Sequence, residues 1–325
     1  MRNRLGVGVL CVLLSLTVRA GERLAFDGGG KQLAVSGNKA LTIWDLELGR
    51  PAQWFPASKA GPVYFSRTNR PVWLEHSRLH QGTQTLELQA TTLHPDGREL
   101  VVDGEWRTLA GLQPVDPRVA LETDERVVAL SPDFAALQGK GQVRLVDRRT
   151  GQSTRLEQGP RREHLAISPD QGWLAREAAE RGYVEILELP SLKVRFRLGR
   201  HAGYITGLAW RPDSAQLAVA DLDGVKLWNL RDGQLEQRLD RRLSAAVSYS
   251  PDGRFLAQGL STDASVCLWD LSKSRLIATL ASYGPEWVVL APDGRFEASS
   301  KADAYLMHVE RSKRTADLLP RLLDE

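Results

Sequence analysis

VSYSPDGRFLAQG (Val247–Gly259), followed by ASVCLWDL (Ala264–Leu271), decides the fold. An apolar-alternating run reaches Pro251-Asp252-Gly253, reverses, runs on through Phe255–Gly259, and is followed by a third alternating run ending in Trp269-Asp270. Proline fixes φ, aspartate accepts from nearby amides and glycine supplies positive φ, so Pro-Asp-Gly between two such runs reads as a hairpin turn. The same unit stands one repeat earlier, as LAWRPDSAQLAVA (Leu208–Ala220) with GVKLWNL (Gly224–Leu230).

Working outward, related units start at Leu24, Val63, Thr91, Val128 and Leu165, and WVVLAPDGRFEAS (Trp287–Ser299) reads as one further pair of strands. The starts lie 37–43 residues apart, except for a step of 28 between Val63 and Thr91. A period near 40 residues carrying short strands and turn signals is the mark of a β-propeller blade. The expected fold is therefore all-β, with seven blades of four antiparallel strands favoured, six if the 28-residue step hides a false repeat and eight if Ala304–Val309 is a further strand. The expected organisation is a leader at 1–20, a propeller over 21–300 and a tail over 301–325 that includes a short helix.

The leader expectation rests on MRNRLGVGVLCVLLSLTVRA (Met1–Ala20): a basic start, an apolar run over Leu5–Val18 and small residues at the end. That run is shorter than the roughly 20 residues that span a bilayer, so a cleaved secretory signal is favoured over an uncleaved anchor. Periplasm or secretion is the expected location. Arg2, Arg4 and Arg19 account for the whole formal charge of +3, leaving 40 charges of each sign. A net-neutral chain without an aromatic-basic motif is a poor nucleic-acid binder. Only Cys267 follows the leader, so no internal disulfide is expected, and no later stretch is of transmembrane length.

Aligned copies place Thr42, Arg144, Glu185, Lys226 and Cys267 at one equivalent slot, which its polarity suggests is partly solvated, with Cys267 semi-exposed. Pro132-Asp133, Pro169-Asp170, Pro212-Asp213 and Pro292-Asp293-Gly294 are read as turns, not as catalytic carboxylates.

These repeats resemble the WD40 family. Trp44-Asp45, Trp228-Asn229 and Trp269-Asp270 occupy its terminal Trp-Asp position, with Val146-Asp147 and Leu187-Glu188 as degenerate versions. Arg200-His201 stands at the Gly-His position, and Asp223 and Asp263 stand in the turn before the third strand. The resemblance implies that Trp44, His201, Asp223, Trp228, Asp263 and Trp269 are structural, in a network running from His through Ser/Thr and Asp to Trp. That network is read as incomplete, with Ala218 and Ala220 where a hydroxyl belongs. The Trp287–Phe296 stretch is similar to one that follows some bacterial members of the family.

No chemistry-bearing motif emerges. His76 and His80 are the closest pair of histidines and lack further metal ligands. Gly28-Gly29-Gly30-Lys31 falls where a strand turn is due and lacks the rest of a phosphate loop. Catalytic, cofactor and metal residues are accordingly expected to be none, and a binding platform is the leading expectation. It is an exported, non-catalytic scaffold that takes another protein or peptide into an envelope-associated assembly. The alternative is a hydrolase or lyase on a polysaccharide at the channel mouth. The irregular stretches 51–62, 74–84, 109–125 and 158–163 are read as loops, and Trp106, Arg161 and Arg162 as partner contacts. Leu318, Leu319, Leu322 and Leu323 are read as one face of a tail helix covering a blade edge.

Overall fold

A computed structural model describes residues 23–302, apart from short internal stretches that include 94–98, 109–118, 157–163 and 262–264, and residues 313–325. Residues 1–20, expected to be a leader, and Arg161, Arg162 and Asp263 lie outside the described residues.

The described chain is a succession of antiparallel meanders, each strand pairing with the next. The first sheet comprises Leu24–Phe26, Gln32–Ser36, Ala40–Asp45 and Arg50–Pro56. The second comprises Ala60–Phe65, Pro71–Glu75, Arg78–Gln81 and Gln84–Leu86. Ala90–Leu93, Glu99–Val102 and Glu105–Thr108 form the third. The fourth and fifth open at Arg126–Leu130 and Leu165–Ile167. The sixth comprises Ile205–Trp210, Gln216–Asp221, Gly224–Asn229 and Leu235–Arg238. The seventh begins with Ser244–Tyr249, Phe255–Leu260, Val266–Asp270 and Arg275–Tyr283. Neighbouring sheets pack side by side in chain order, and Leu24–Phe26 returns against Ser244–Tyr249 to close a ring.

Seven complete blades were expected, and that number needs correction: six sheets are full blades of four strands or more. The third sheet has three strands among the described residues. The 28-residue step belongs to the second sheet, whose last three strands are joined by two-residue connections and so fit four strands into little chain. Two stretches read as loops are strands: Arg50–Pro56 is the outer strand of the first sheet, and Arg78–Gln81 is the third strand of the second. Gln84–Leu86 supplies the fourth strand, pairing with Arg78–Gln81.

The core lies between sheets because successive strand residues point to opposite faces. In the sixth sheet Leu217 and Val219 pack toward Val184, Ile186 and Leu198 of the fifth. Ala218 and Ala220 face the other way, toward Leu256 and Leu260 of the seventh. The Trp-position residues Trp44, Val146, Leu187, Trp228 and Trp269 are all buried.

The slot of Thr42, Arg144, Glu185, Lys226 and Cys267 is more buried than expected, with Arg144 and Glu185 only part-exposed. Thr42, Lys226 and Cys267 are at most 2% exposed. Each polar member has a partner instead. Arg144 donates twice to Glu125, at 2.7 and 2.6 Å, and Arg176 donates to Glu185 at 2.8 Å. The Arg242 guanidinium lies 2.9 Å from Cys267 Sγ. Polarity marked a slot that demands partners, because an unpaired buried charge costs more than its burial returns.

Trp287–Ser299 was read as another pair of blade strands. Its strands Glu286–Leu290 and Phe296–Ala298 instead extend the seventh sheet to six strands, pairing outward from Arg275–Tyr283. Helix α1 (Leu318–Asp324) then folds back over the seam between seventh and first sheets. Its Leu318, Leu319 and Leu322 join one buried cluster with Leu33, Trp44 and Leu46 of the first sheet and Ile277, Leu280 and Val289 of the seventh. The Leu318 N–H donates to Glu297 Oε2 at 2.7 Å. At the other end, Arg254 donates to the Leu323 carbonyl at 3.1 Å and Arg275 to the Leu322 carbonyl at 3.3 Å. Anionic and cationic side chains thus meet the helix ends whose backbone groups would otherwise lack partners. Gly49 makes this approach possible: a Cβ there would stand 2.7 Å from Pro320 Cδ. Trp44 and Trp287 meet edge to face across the same seam, with centroids 6.2 Å apart.

Candidate functional site

Because strands alternate in direction, the connections between sheets and the turns between second and third strands share one rim. On that rim one carboxylate organises the fifth-to-sixth sheet boundary. Asp221 ends the second strand of the sixth sheet and is fully buried. Its Oδ2 accepts from His201 Nδ1 at 3.0 Å and from the Ala202 N–H at 3.2 Å, and it pairs with Lys226 Nζ. Its Oδ1 accepts from the Asp223 N–H at 2.7 Å. One side chain therefore pins both the incoming connection 201–204 and the turn 222–223. Gly224 completes the turn at φ +107°, where an added Cβ would run into the Asp240 carbonyl oxygen.

Burial pushes the Asp221 carboxyl upward, but hydrogen bonds from His201 and Lys226 outweigh it and hold its pKa below the ordinary 3.8. Burial is also the main cause that lowers His201 below 6.5, against the opposing bond to Asp221. His201 is therefore neutral near pH 7 and donates through Nδ1. Its Nε2 and the Trp228 Nε1–H are both buried without a hydrogen-bond partner among the described residues, with the rings 5.6 Å apart.

The pinned connections carry exposed apolar side chains. Tyr204 is 61% exposed and Leu222 39%. The Arg181 guanidinium stacks over Tyr204 at 4.4 Å, and the space beside Gly203 is bounded by Leu222 Cδ1 and Arg181 Nη2. Leu243, at 38% exposure, occupies the connection into the seventh sheet on the same rim. Arg200 and Arg241 are exposed in these connections too. An aromatic and aliphatic cluster on a rigid base, edged by arginines, is suited to binding rather than bond-making. Among the described residues no group of His, Cys, Asp and Glu is placed to hold a metal.

The residues expected from sequence fall as follows. His201 is buried in the network, but its acid is Asp221, not Asp223. Asp223 is part-exposed and pairs with Arg238 at 3.6 Å. The position facing His201 and Trp228 is Val219, since Ala218 and Ala220 lie on the opposite face. In the seventh sheet the equivalent residue is Gln258, which accepts from Trp269 Nε1 at 3.0 Å and donates to Ser244 Oγ at 2.7 Å. Trp44 is buried at the seam. Trp106 lies on the strand Glu105–Thr108 opposite Val101, not in a loop. His80 is likewise on a strand, stacked on Trp73 at 4.9 Å, and His76 lies outside the described residues. Tyr204 and Leu222 were not singled out from sequence, although both stand beside motif residues in short connections.

Comparison with known proteins agrees with this architecture. The WD40 family model (WD domain, G-beta repeat) matches residues 192–229, the outer strand of the fifth sheet with the first three of the sixth, and 244–270, the first three strands of the seventh. The chain is an all-β propeller, part of which matches the WD40 repeat. It is 32% identical over 96 residues to the small ribosomal subunit protein RACK1y of Oryza sativa subsp. japonica, covering 29% of this chain and 28% of that protein. It is 29% identical over 141 residues to the WD repeat-containing protein SL1-17 of Schistosoma mansoni, covering 42% and 46%. The chain thus spans between about a quarter and a half of the length of these relatives. Among solved structures, a chain of Kuenenia stuttgartiensis hydrazine synthase superposes with a TM-score of 0.62 at 15% identity, covering 80% of this chain and 98% of that one. The β-propeller domain of Myceliophteria thermophila Cps50 (Swd1) superposes equally well, at the same identity, covering 79% and 98%. At such identity the likeness is one of fold.

Proposed function

We propose that this protein is an exported, non-catalytic docking module that takes a protein or peptide into an envelope-associated assembly through the rim at the fifth and sixth sheets. The observation that carries this reading is the pairing of an exposed Arg181–Tyr204–Leu222 cluster with a buried carboxylate that fixes both connections bearing it. Pre-fixed loops lose little entropy on binding, and exposed aromatic and arginine side chains are the types that dominate interface energies. Export is supported by the basic-then-apolar composition of Met1–Ala20. Trp106, Arg161 and Arg162 are proposed as further partner contacts.

The test is photo-crosslinking at native expression, with a photoreactive residue at position 204 and a control at Val194, which is exposed on an outer strand. A discrete partner crosslinked from 204 alone, and lost in a folded Leu222→Asp variant, is the expected result. Equal yields from both positions, or none from 204, would overturn the reading. N-terminal sequencing of protein from fractionated cells tests export: a start near residue 21 supports it, and an intact Met1 in the cytoplasmic fraction rejects it.

A further inference from the structure

The charge on this rim sector specifies the partner more narrowly, and the inference rests on the docking reading above. We infer that the sector binds an acidic polypeptide segment carrying an aliphatic or aromatic side chain. Five exposed arginines belong to this sector: Arg181, Arg200, Arg241 and Arg242 on connections and turns, and Arg238 at the end of the strand Leu235–Arg238. The carboxylates beside them are already engaged. Asp223 pairs with Arg238 at 3.6 Å and Asp240 with Arg242 at 2.5 Å. Glu180, next to Arg181, pairs with Arg197 at 3.1 Å. Arg181, Arg200 and Arg241 therefore have no carboxylate partner among the described residues, although the chain after its leader is balanced in charge. A local excess of fixed cations on a neutral molecule attracts acidic groups, and arginine pairs with carboxylates in bidentate geometry.

The apolar component separates a polypeptide from a bare polyanion. Tyr204 has Arg181 over one ring face, and Leu222 stands beside it across Gly203. A sugar-phosphate or sulfated chain would pair with the arginines but gain nothing from Leu222 and Leu243. A peptide that alternates carboxylates with a leucine or phenylalanine satisfies both. Arg200 lies just before the His201 anchor and Arg241 just before Arg242, so the cations flank the apolar cluster on connections one sheet apart. The arrangement suits an extended segment crossing from sheet to sheet.

The experiment uses the full chain after its leader and a fluorescein-labelled peptide of alternating glutamate and serine with a central leucine pair, read by anisotropy. Three comparison probes replace glutamate with lysine, replace the leucines with serine, or substitute a single-stranded oligonucleotide. The inference expects saturable binding of the acidic leucine peptide alone. It also expects a loss of about tenfold or more in an Arg181→Glu/Arg241→Glu variant and in Tyr204→Ala, and weakening with added salt. Circular dichroism establishes that both variants are folded. An Arg149→Glu variant, at the opposite turn of the fourth sheet, should leave binding unchanged. Equal binding of the oligonucleotide or the leucine-free peptide would overturn the inference in favour of a generic anion site. No binding of the acidic peptide would overturn it outright. If a partner crosslinked from position 204 survives Arg181→Glu/Arg241→Glu but is lost in Leu222→Asp, docking stands and the acidic segment falls.

Discussion

Thr42 Oγ1 in the first sheet and Ser282 Oγ in the last lie 2.9 Å apart, a hydrogen bond across 240 residues of chain. The bond marks the seam where the ring closes, beside the Trp44–Trp287 contact and the leucines of α1. Among the described residues no strand is shared between the first and last sheets there. Closure rests on side-chain packing and on the helix laid over it.

The helix should therefore matter more than its seven residues suggest. Leu319→Ala is expected to cost about 2–4 kcal/mol, since Leu319 is fully buried and its loss leaves a cavity. Urea denaturation followed by tryptophan fluorescence checks this. A change below about 0.5 kcal/mol would mean that the seam closes without the helix.

Asp221→Ala should cost about 3–5 kcal/mol, because it leaves Lys226 buried without its counter-charge. Adding Lys226→Met to that variant should recover a large part of the loss, which double-mutant denaturation measures. Crosslinking from position 204 should stay impaired in the double variant, because the Ala202 and Asp223 amides still lack their acceptor.

Val219→Thr should be neutral or stabilising by about 1 kcal/mol, whereas Val219→Ala should destabilise by about 2 kcal/mol. The threonine hydroxyl would stand where His201 Nε2 and Trp228 Nε1 lack partners. A buried hydroxyl without a bond is costly, so clear destabilisation by Val219→Thr would show that it does not reach them.

Acid should weaken the fold progressively. Burial lowers His164 from 6.5 to about 4, and it also lowers His201. Below pH 6.5 the unfolded chain takes up protons that these rings refuse, so stability falls until the folded pKa is passed. Asp221, held below 3.8, gives stability that is present above that value and lost as pH falls through its folded pKa. Denaturation at pH 7.5 and near pH 4 should differ by on the order of 2 kcal/mol from His164, and His164→Gln should reduce that difference.

The repeat, its turns and the propeller class were legible because each is local: the turn residues and the strand alternation lie within one repeat. The network residues were misplaced for a physical reason. A shift of one residue along a strand moves a side chain to the opposite face, so Ala218 and Val219, adjacent in sequence, serve different interfaces. Asp221 and Asp223 look equivalent in a turn, and only the register with Gly224 shows which one is turned inward. Lys226 and Cys267 were read as partly solvated because composition reports polarity but not the partner across the sheet boundary. The rim cluster was missed because Arg181 and Tyr204 meet only when two sheets pack.

Helix α1 also sets a boundary condition. In a row of repeats each unit is held by its neighbours, and the two end units are held on one side only. A latch across the seam turns that row into a cycle, in which no sheet is terminal and unfolding has no preferred place to begin. Without the latch, the first and seventh sheets become two free ends at once. Loss should then spread inward from both, and the sixth sheet, which carries Tyr204 and Leu222, stands next in line.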